Sequence, residues 1–276
     1  VLSRLFSRKP EESESEVSEP TDLKRIVFFH VPKCGGSSVR DALKSAYREK
    51  NLTARNVVFH LDSHTSKSSS DLMGENLAVH REHVFLYKFM LRKYFLLTGH
   101  FPYSDSVAKA KAKNDLFVTL LRDPFDRKLS QYYYNRHKAD HQAHFGTDLS
   151  LEDWLQKSIE STKPGSYTRY FCGNVRLEQG ADETDGQFVQ GRVDAAIKNL
   201  RTFDVVGNVS DMAGFAGEVS RKSGLSVSID HLRRSPKSGY PKFRQQPKHI
   251  QALLEASCEH DVRIYESVFG AGSAGA

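Results

Sequence analysis

What the 276 residues lack narrows the field. The only cysteines, Cys34, Cys172 and Cys258, lie far apart with no CxxC spacing, so neither a disulfide framework nor a cysteine zinc site is encoded. Unpaired thiols favour a reducing compartment and so a cytoplasmic location, with a Golgi lumen the alternative if an anchor upstream of Val1 was removed; the compartment stays open. No apolar run approaches the ~20 residues that span a bilayer. The sequence contains no GxxxxGK[ST], which disfavours an ordinary ATP or GTP hydrolase. No internal repeat occurs.

What is present suits a folded domain with one sizeable core. Hydrophobic residues make up 38% and aromatic residues 11%, ordinary for globular chains. Residues 1 to 22, with PEESESEVSEP, are acidic, serine-rich and bounded by prolines. They bury too little apolar surface to offset the entropy of ordering and read as a disordered tail. GAGSAGA, residues 270 to 276, reads as a flexible one, leaving one domain over 23 to 269. Formal charge is +6; outside the acidic tail, 37 basic residues face 28 acidic ones, or +9. That balance favours an anionic partner: nucleotide, nucleic acid or acidic polysaccharide.

Along this domain apolar runs alternate with amphipathic stretches. RIVFFH, NVVFH, FLLTGH, DLFVTLLR and FDVVGN read as strands. SSVRDALKSAYREK, ENLAVHREHVFLYKFMLRKYF, SDSVAKAKA, DPFDRKLSQYYYNRHK, SLEDWLQKSIE, FVQGRVDAAIKNL, SDMAGFAGEVSRKSG and PKHIQALLEASCEHDVRIYESVF read as helices. Residues 62 to 70 read as a polar serine-rich loop. Continuously apolar strands between helices predict an α/β fold, three-layer α/β/α with a central parallel sheet, whose ligands sit at the carboxyl ends of strands.

At one such end HVPKCGGSS leads from strand to helix. Gly35 and Gly36 allow close approach and positive φ, successive N–H groups and a helix N-terminus favour an anion, and Lys33 adds a full charge. The lysine precedes the glycines, so the loop is P-loop-like rather than Walker A. A glycine turn beside a solvated lysine is the plain alternative. In LLRDPFDRKLSQYYY, Arg122 ends a second buried strand and Ser130 lies about two helical turns on, so both can line the same crevice.

Together HVPKCGGSSV and LLRDPFDRKLSQYYY resemble the nucleotide-binding motifs of carbohydrate sulfotransferases, enzymes that use 3'-phosphoadenosine 5'-phosphosulfate (PAPS). The resemblance to heparan sulfate 2-O-sulfotransferase and its uronyl relatives extends through LTGHFPYSD, YFCGN, FDVVGNVSDMAGF and RRSPKSG, over roughly residues 25 to 268. It implies that Lys33, Cys34, Gly35, Gly36, Ser37 and Ser38 cradle the 5'-phosphosulfate, and that Arg122 and Ser130 hold the 3'-phosphate. Cys34 stands where the family has threonine or serine. It also implies nucleotide contacts for Ser235 and Lys237, and puts Arg233 or Arg234 at the crevice. Lysine and backbone N–H groups can stabilise charge on the leaving phosphate, so no metal is expected.

An acceptor hydroxyl must lose a proton, and histidine suits that task near neutrality. His100 follows FLLTG and matches the second histidine of the family's HGH motif, with Thr98 in place of the first. His30 is the rival base; related 6-O enzymes have a histidine there. RRSPKSGYPKFR gathers Arg233, Arg234, Lys237, Lys242 and Arg244 in a loop able to grip a phosphate or an anionic glycan. Arg136 and His137, with Lys138, His141 and His144, extend the helix after the second motif; an exposed polar face touching acidic substrate is preferred there to a metal site. Among Tyr132, Tyr133 and Tyr134 at least one is expected in the core; Trp154 reads as core.

The expected activity is sulfuryl transfer from PAPS to a hydroxyl of a carbohydrate, an anionic polysaccharide rather than a nucleic acid, with oligomeric state open. The rivals are a P-loop-like kinase or phosphotransferase, which needs magnesium, and a non-catalytic nucleotide- or glycan-binding module.

Overall fold

Five parallel strands run in the order β2-β3-β1-β4-β5 in the computed structural model, which describes residues 23–50, 52, 57–137, 146–161, 165–173, 185–229 and 239–275. They are β1 (Arg25–Phe29), β2 (Val58–Leu61), β3 (Leu96–Gly99), β4 (Asp115–Leu121) and β5 (Val205–Asn208). β1 and β4 are buried at every position, as continuous apolar runs covered on both faces require. The α/β class and the central parallel sheet agree with the expectation.

Helices cover both faces: α1 (Gly36–Arg48), α2 (Ser63–Met73), α3 (Leu77–Met90), α4 (Asp105–Lys109), α5 (Pro124–His137), α6 (Leu151–Glu160), α7 (Ser166–Phe171), α8 (Asp185–Leu200), α9 (Met212–Ser223) and α10 (Lys248–Phe269). Successive β1 side chains alternate between faces. Ile26 and Phe28 join α1 and α9 residues such as Val39, Leu43, Phe215 and Val219. Val27 and Phe29 join the other layer, where Phe29 lies among Phe85, Phe101, Phe117 and Phe203 at centroid distances of 4.9 to 5.9 Å.

Residues 62 to 70 are not a loop. Asp62 caps α2 by accepting from the Thr65 amide at 2.7 Å, Gly74 closes it with φ 65°, and Ser66 and Ser70 are buried. Serine alone argued for a loop; paired caps decide otherwise. The short helix α7 was not foreseen at all. The C-terminal residues turn back onto the domain: Gly275 N–H donates at 2.5 Å to Asp123 Oδ2, and Arg244 Nε at 2.6 Å to the Gly275 carbonyl.

Because the chain visits β2 and β3 on one side of β1 before crossing to β4, strand order reverses between β1 and β4. Open parallel sheets place their crevice at such a point, outside the carboxyl ends of the strands.

Candidate active site

Both sequence motifs end at this crevice. Beyond β1 the chain turns through Lys33, with φ 68°, and Gly35, with φ 71°, into α1. A non-glycine residue in the left-handed region is uncommon and costs on the order of 1 kcal/mol. No acidic residue occupies the first turn of α1 and no side chain caps it, so its N-terminal partial charge stays available to an anion. Gly36 has a second role. A Cβ there would lie 1.9 Å from His30 Cδ2, so the missing side chain admits the imidazole.

Cys34 turns inward. Its thiol is 1% exposed, with Sγ 3.8 Å from the Pro32 carbonyl and 3.9 Å from Tyr167 Oη, while its amide closes a turn on the Val31 carbonyl at 3.4 Å. Burial pushes the thiol pKa up to about 11, which makes it a poor nucleophile. Ser38 is also buried and Ser37 half-buried.

Arg122 reaches back to this loop. Its Nη1 donates to the Lys33 carbonyl at 3.4 Å, and its Nη2 lies 3.7 Å from Asp126 Oδ2. Asp126, Ser130 and Tyr134 follow at i, i+4 and i+8 on α5, so they share one helix face. Asp126 meets Arg122 at one end, and Tyr134 carries Lys33 Nζ 3.7 Å above its ring at the other. Ser130 stands between them. Lys242 arrives from the far side, donating to Asp126 Oδ2 at 2.7 Å. Beside Arg122 opens a cavity of about 860 Å³, lined also by Asn208, Asp211, Phe215 and Tyr265; its lining includes neither Lys33 nor His100.

Tyr167 unites the two loops and was invisible in the sequence. Its hydroxyl accepts from the Arg122 amide at 3.1 Å, donates to the Arg122 carbonyl and touches Cys34 Sγ. Asp261 of α10 fixes this tyrosine, accepting from the amides of Ser166 and Tyr167 and pairing with Arg127 at 3.3 Å, with both charged side chains buried. Burial opposes the Arg127 cation, but Asp261 leads the contacts that outweigh it, and its pKa rises.

The histidines occupy the β1/β3 side. His30 and His100 have ring centroids 4.3 Å apart, and His30 stacks on Phe28 at 5.7 Å. His100 Nδ1 lies 2.6 Å from the His30 carbonyl. A carbonyl only accepts, so Nδ1 carries the proton and Nε2 the lone pair. His100 keeps some exposed surface, yet burial above all lowers its pKa to about 4. His30 is lowered well below the ordinary value, by burial first and then by His100, His60 and Arg40. His60 was not singled out in the sequence; it enters through strand register, opposite Thr98.

Other candidates sit apart or outside. Arg136 and His137 are exposed at the end of α5, with Arg136 Nη1 donating to the Leu149 carbonyl at 3.2 Å and His137 stacked on Tyr133. Tyr132 is buried, and Tyr133 stacks on Tyr240 at 4.5 Å. Arg233, Arg234, Ser235 and Lys237 lie outside the described residues, as do Lys138, His141 and His144. Among the described residues no three His, Cys, Asp or Glu side chains converge to hold a metal.

A parallel sheet whose glycine loop and strand-end arginine meet at its switch point is a P-loop-like scaffold. Within that class the chain belongs to the sulfotransferase family, whose sequence model matches residues 20–269. The protein is thus a transferase of sulfuryl groups. A search of curated proteins finds no match to the chain.

Proposed function

We propose that the protein transfers the sulfuryl group of PAPS to a hydroxyl of a carbohydrate, an anionic polysaccharide similar to the glycosaminoglycans, with His100 as general base. The observation that carries this reading is the contact between the Lys33 carbonyl and Arg122 Nη1. It brings two cationic motifs of the kind that hold opposite ends of such a nucleotide into one crevice, and the cavity beside Arg122 offers room for the adenosine.

In this reading the amides of the loop from Lys33 to Ser38 and the Lys33 ammonium receive the 5'-phosphosulfate, and Arg122 and Ser130 the 3'-phosphate. His100 Nε2 accepts the proton of the acceptor hydroxyl as the new O–S bond forms. The S–O bond to the donor phosphate breaks, and Lys33 with the first-turn amides stabilises the charge left on that oxygen. No proton has to reach the leaving phosphate, and no metal is required. Arg136 and His137, with Arg233 and Arg234, extend a basic track for the acceptor, and Ser235 and Lys237 complete the donor contacts.

The test is to incubate the protein with radiolabelled PAPS and a panel of sulfated and unsulfated polysaccharides, with ATP and magnesium as the competing donor system. Label appearing in a polysaccharide from PAPS alone supports the reading. Phosphate transfer from ATP, or donor binding without turnover on any acceptor, overturns it in favour of a phosphotransferase or a binding module.

A further inference from the structure

Arg40 and His60 belong to no sequence motif, yet they close the histidine cluster. Phe28, Thr98 and His60 are register partners on β1, β3 and β2, so their side chains share one face of the sheet. His30 stacks on Phe28 and packs against His100, the next residues outward on that face. Arg40, in the second turn of α1, brings Nη1 to 3.3 Å from His60 Nε2. A guanidinium has donors only. His60 Nε2 therefore holds the lone pair and His60 Nδ1 the proton. That Nδ1 is buried without a hydrogen-bond partner, the Thr98 carbonyl being near but outside bonding geometry; His30 Nδ1 and Thr98 Oγ1 are orphaned likewise.

We propose that Arg40 and His60 are positioning residues for the His30/His100 base: one guanidinium on α1 locks the outer imidazole in a single neutral tautomer, so that no imidazolium forms against the pair. The inference rests on the sulfuryl-transfer reading of His30 and His100 given above. Electrostatics support the geometry. After burial, Arg40 is the main influence lowering His60, joined by Lys44 of α1, while the Thr98 backbone and then Asp62, the cap of α2, oppose them. Around His100 the lowering neighbours are Arg81 of α3, His60 and Arg40, and around His30 they are His100, His60, Arg40 and Lys33. None of these principal charged neighbours of His30 and His100 is a carboxylate; Asp41 of α1 pairs with the guanidinium instead, accepting from Arg40 Nε at 3.1 Å and leaving Nη1 to His60. The cluster stays neutral by exclusion of protons rather than by pairing, and that keeps a lone pair available in mildly acidic medium.

The test reads imidazole nitrogens by NMR in the unliganded protein, alongside kcat against pH. In the wild type His60 should show a protonated Nδ1 and a bare Nε2, with no titration near ~6.5. Arg40→Met should release both features, moving the His60 midpoint up toward that ordinary value. Its kcat profile should acquire an acid limb in the same range, falling as pH drops, where the wild type stays flat. Arg40→Lys, which keeps a charged donor, should restore the flat profile, and adding His60→Gln to Arg40→Met should remove the limb. A wild-type His60 protonated on Nε2, or an unchanged His60 midpoint in Arg40→Met, overturns the proposal. Should Arg40→Met fail to fold, the wild-type tautomer decides by itself. The predicted titrations without any sulfuryl transfer would overturn the reading of function and leave the Arg40 lock standing.

Discussion

The two sides of the crevice are built on opposite electrostatic rules. On the β1/β4 side the candidate groups are the cations Lys33 and Arg122, with Lys242 beside them, held by the Lys33 carbonyl, an aromatic face and the carboxylate of Asp126. On the β1/β3 side they are imidazoles without a principal carboxylate neighbour, pressed into the sheet and held neutral. A permanent cation loses little by having an anionic partner, because a polyanionic ligand can displace it. A base must keep its lone pair, and a carboxylate beside it would favour the protonated form. Under the proposed function, the contrast would give charge stabilisation to one side and proton acceptance to the other.

The assignment can be broken at several points. His100→Ala should lower kcat by about 10²- to 10⁴-fold while calorimetry finds the affinity for the desulfated donor nucleotide nearly unchanged; full activity would move the base role to His30. Asp261→Ala leaves the Arg127 guanidinium buried and unpaired, and removes the acceptor of the Ser166 and Tyr167 amides. Loss of about 3 to 5 kcal/mol in denaturant unfolding is expected.

The histidine side also predicts a dependence on pH. His100 is held at about 4, against an ordinary 6.5, chiefly by burial. The unfolded chain therefore takes up this proton first, so the stability tied to His100 is complete above ~6.5 and is lost as pH falls toward ~4, by about 3 kcal/mol in all. Urea unfolding at the two limits, compared with His100→Asn, measures it; an identical pH dependence in the variant would remove the neutral-cluster account.

On the cationic side, Arg122→Ala should weaken binding of the desulfated nucleotide by about 10- to 100-fold, the worth of a charge-assisted contact. Unchanged affinity by calorimetry would sever Arg122 from the 3'-phosphate. The smallest effect concerns Cys34, whose buried thiol should resist alkylation at neutral pH in the folded protein; rapid labelling by mass spectrometry would contradict its inward orientation.

Residues near one another in sequence made half of this site legible. Lys33 to Ser38 sit on one loop, and Arg122 and Ser130 on one strand-helix junction, so apolar runs and helical spacing were enough to aim them at a common crevice. The sheet was legible for a related reason, since RIVFF and DLFVTLL are too uniformly apolar for any place but its middle. The missed parts depend on distant partners. His60 matters because β2 pairs with β3 in one particular register. Tyr167 matters because Asp261, 94 residues away, fixes a six-residue helix with no strong pattern of its own. Helix α2 was different: Asp62 and Gly74 signalled both of its ends, and its serines masked them.

The Tyr167 phenol has one more implication. Since a single rigid ring touches the backbone of Arg122 and the thiol of Cys34, the span between the two grips is gauged by the protein's interior. For the donor proposed above, that shared anchor would make nucleotide length a condition of binding.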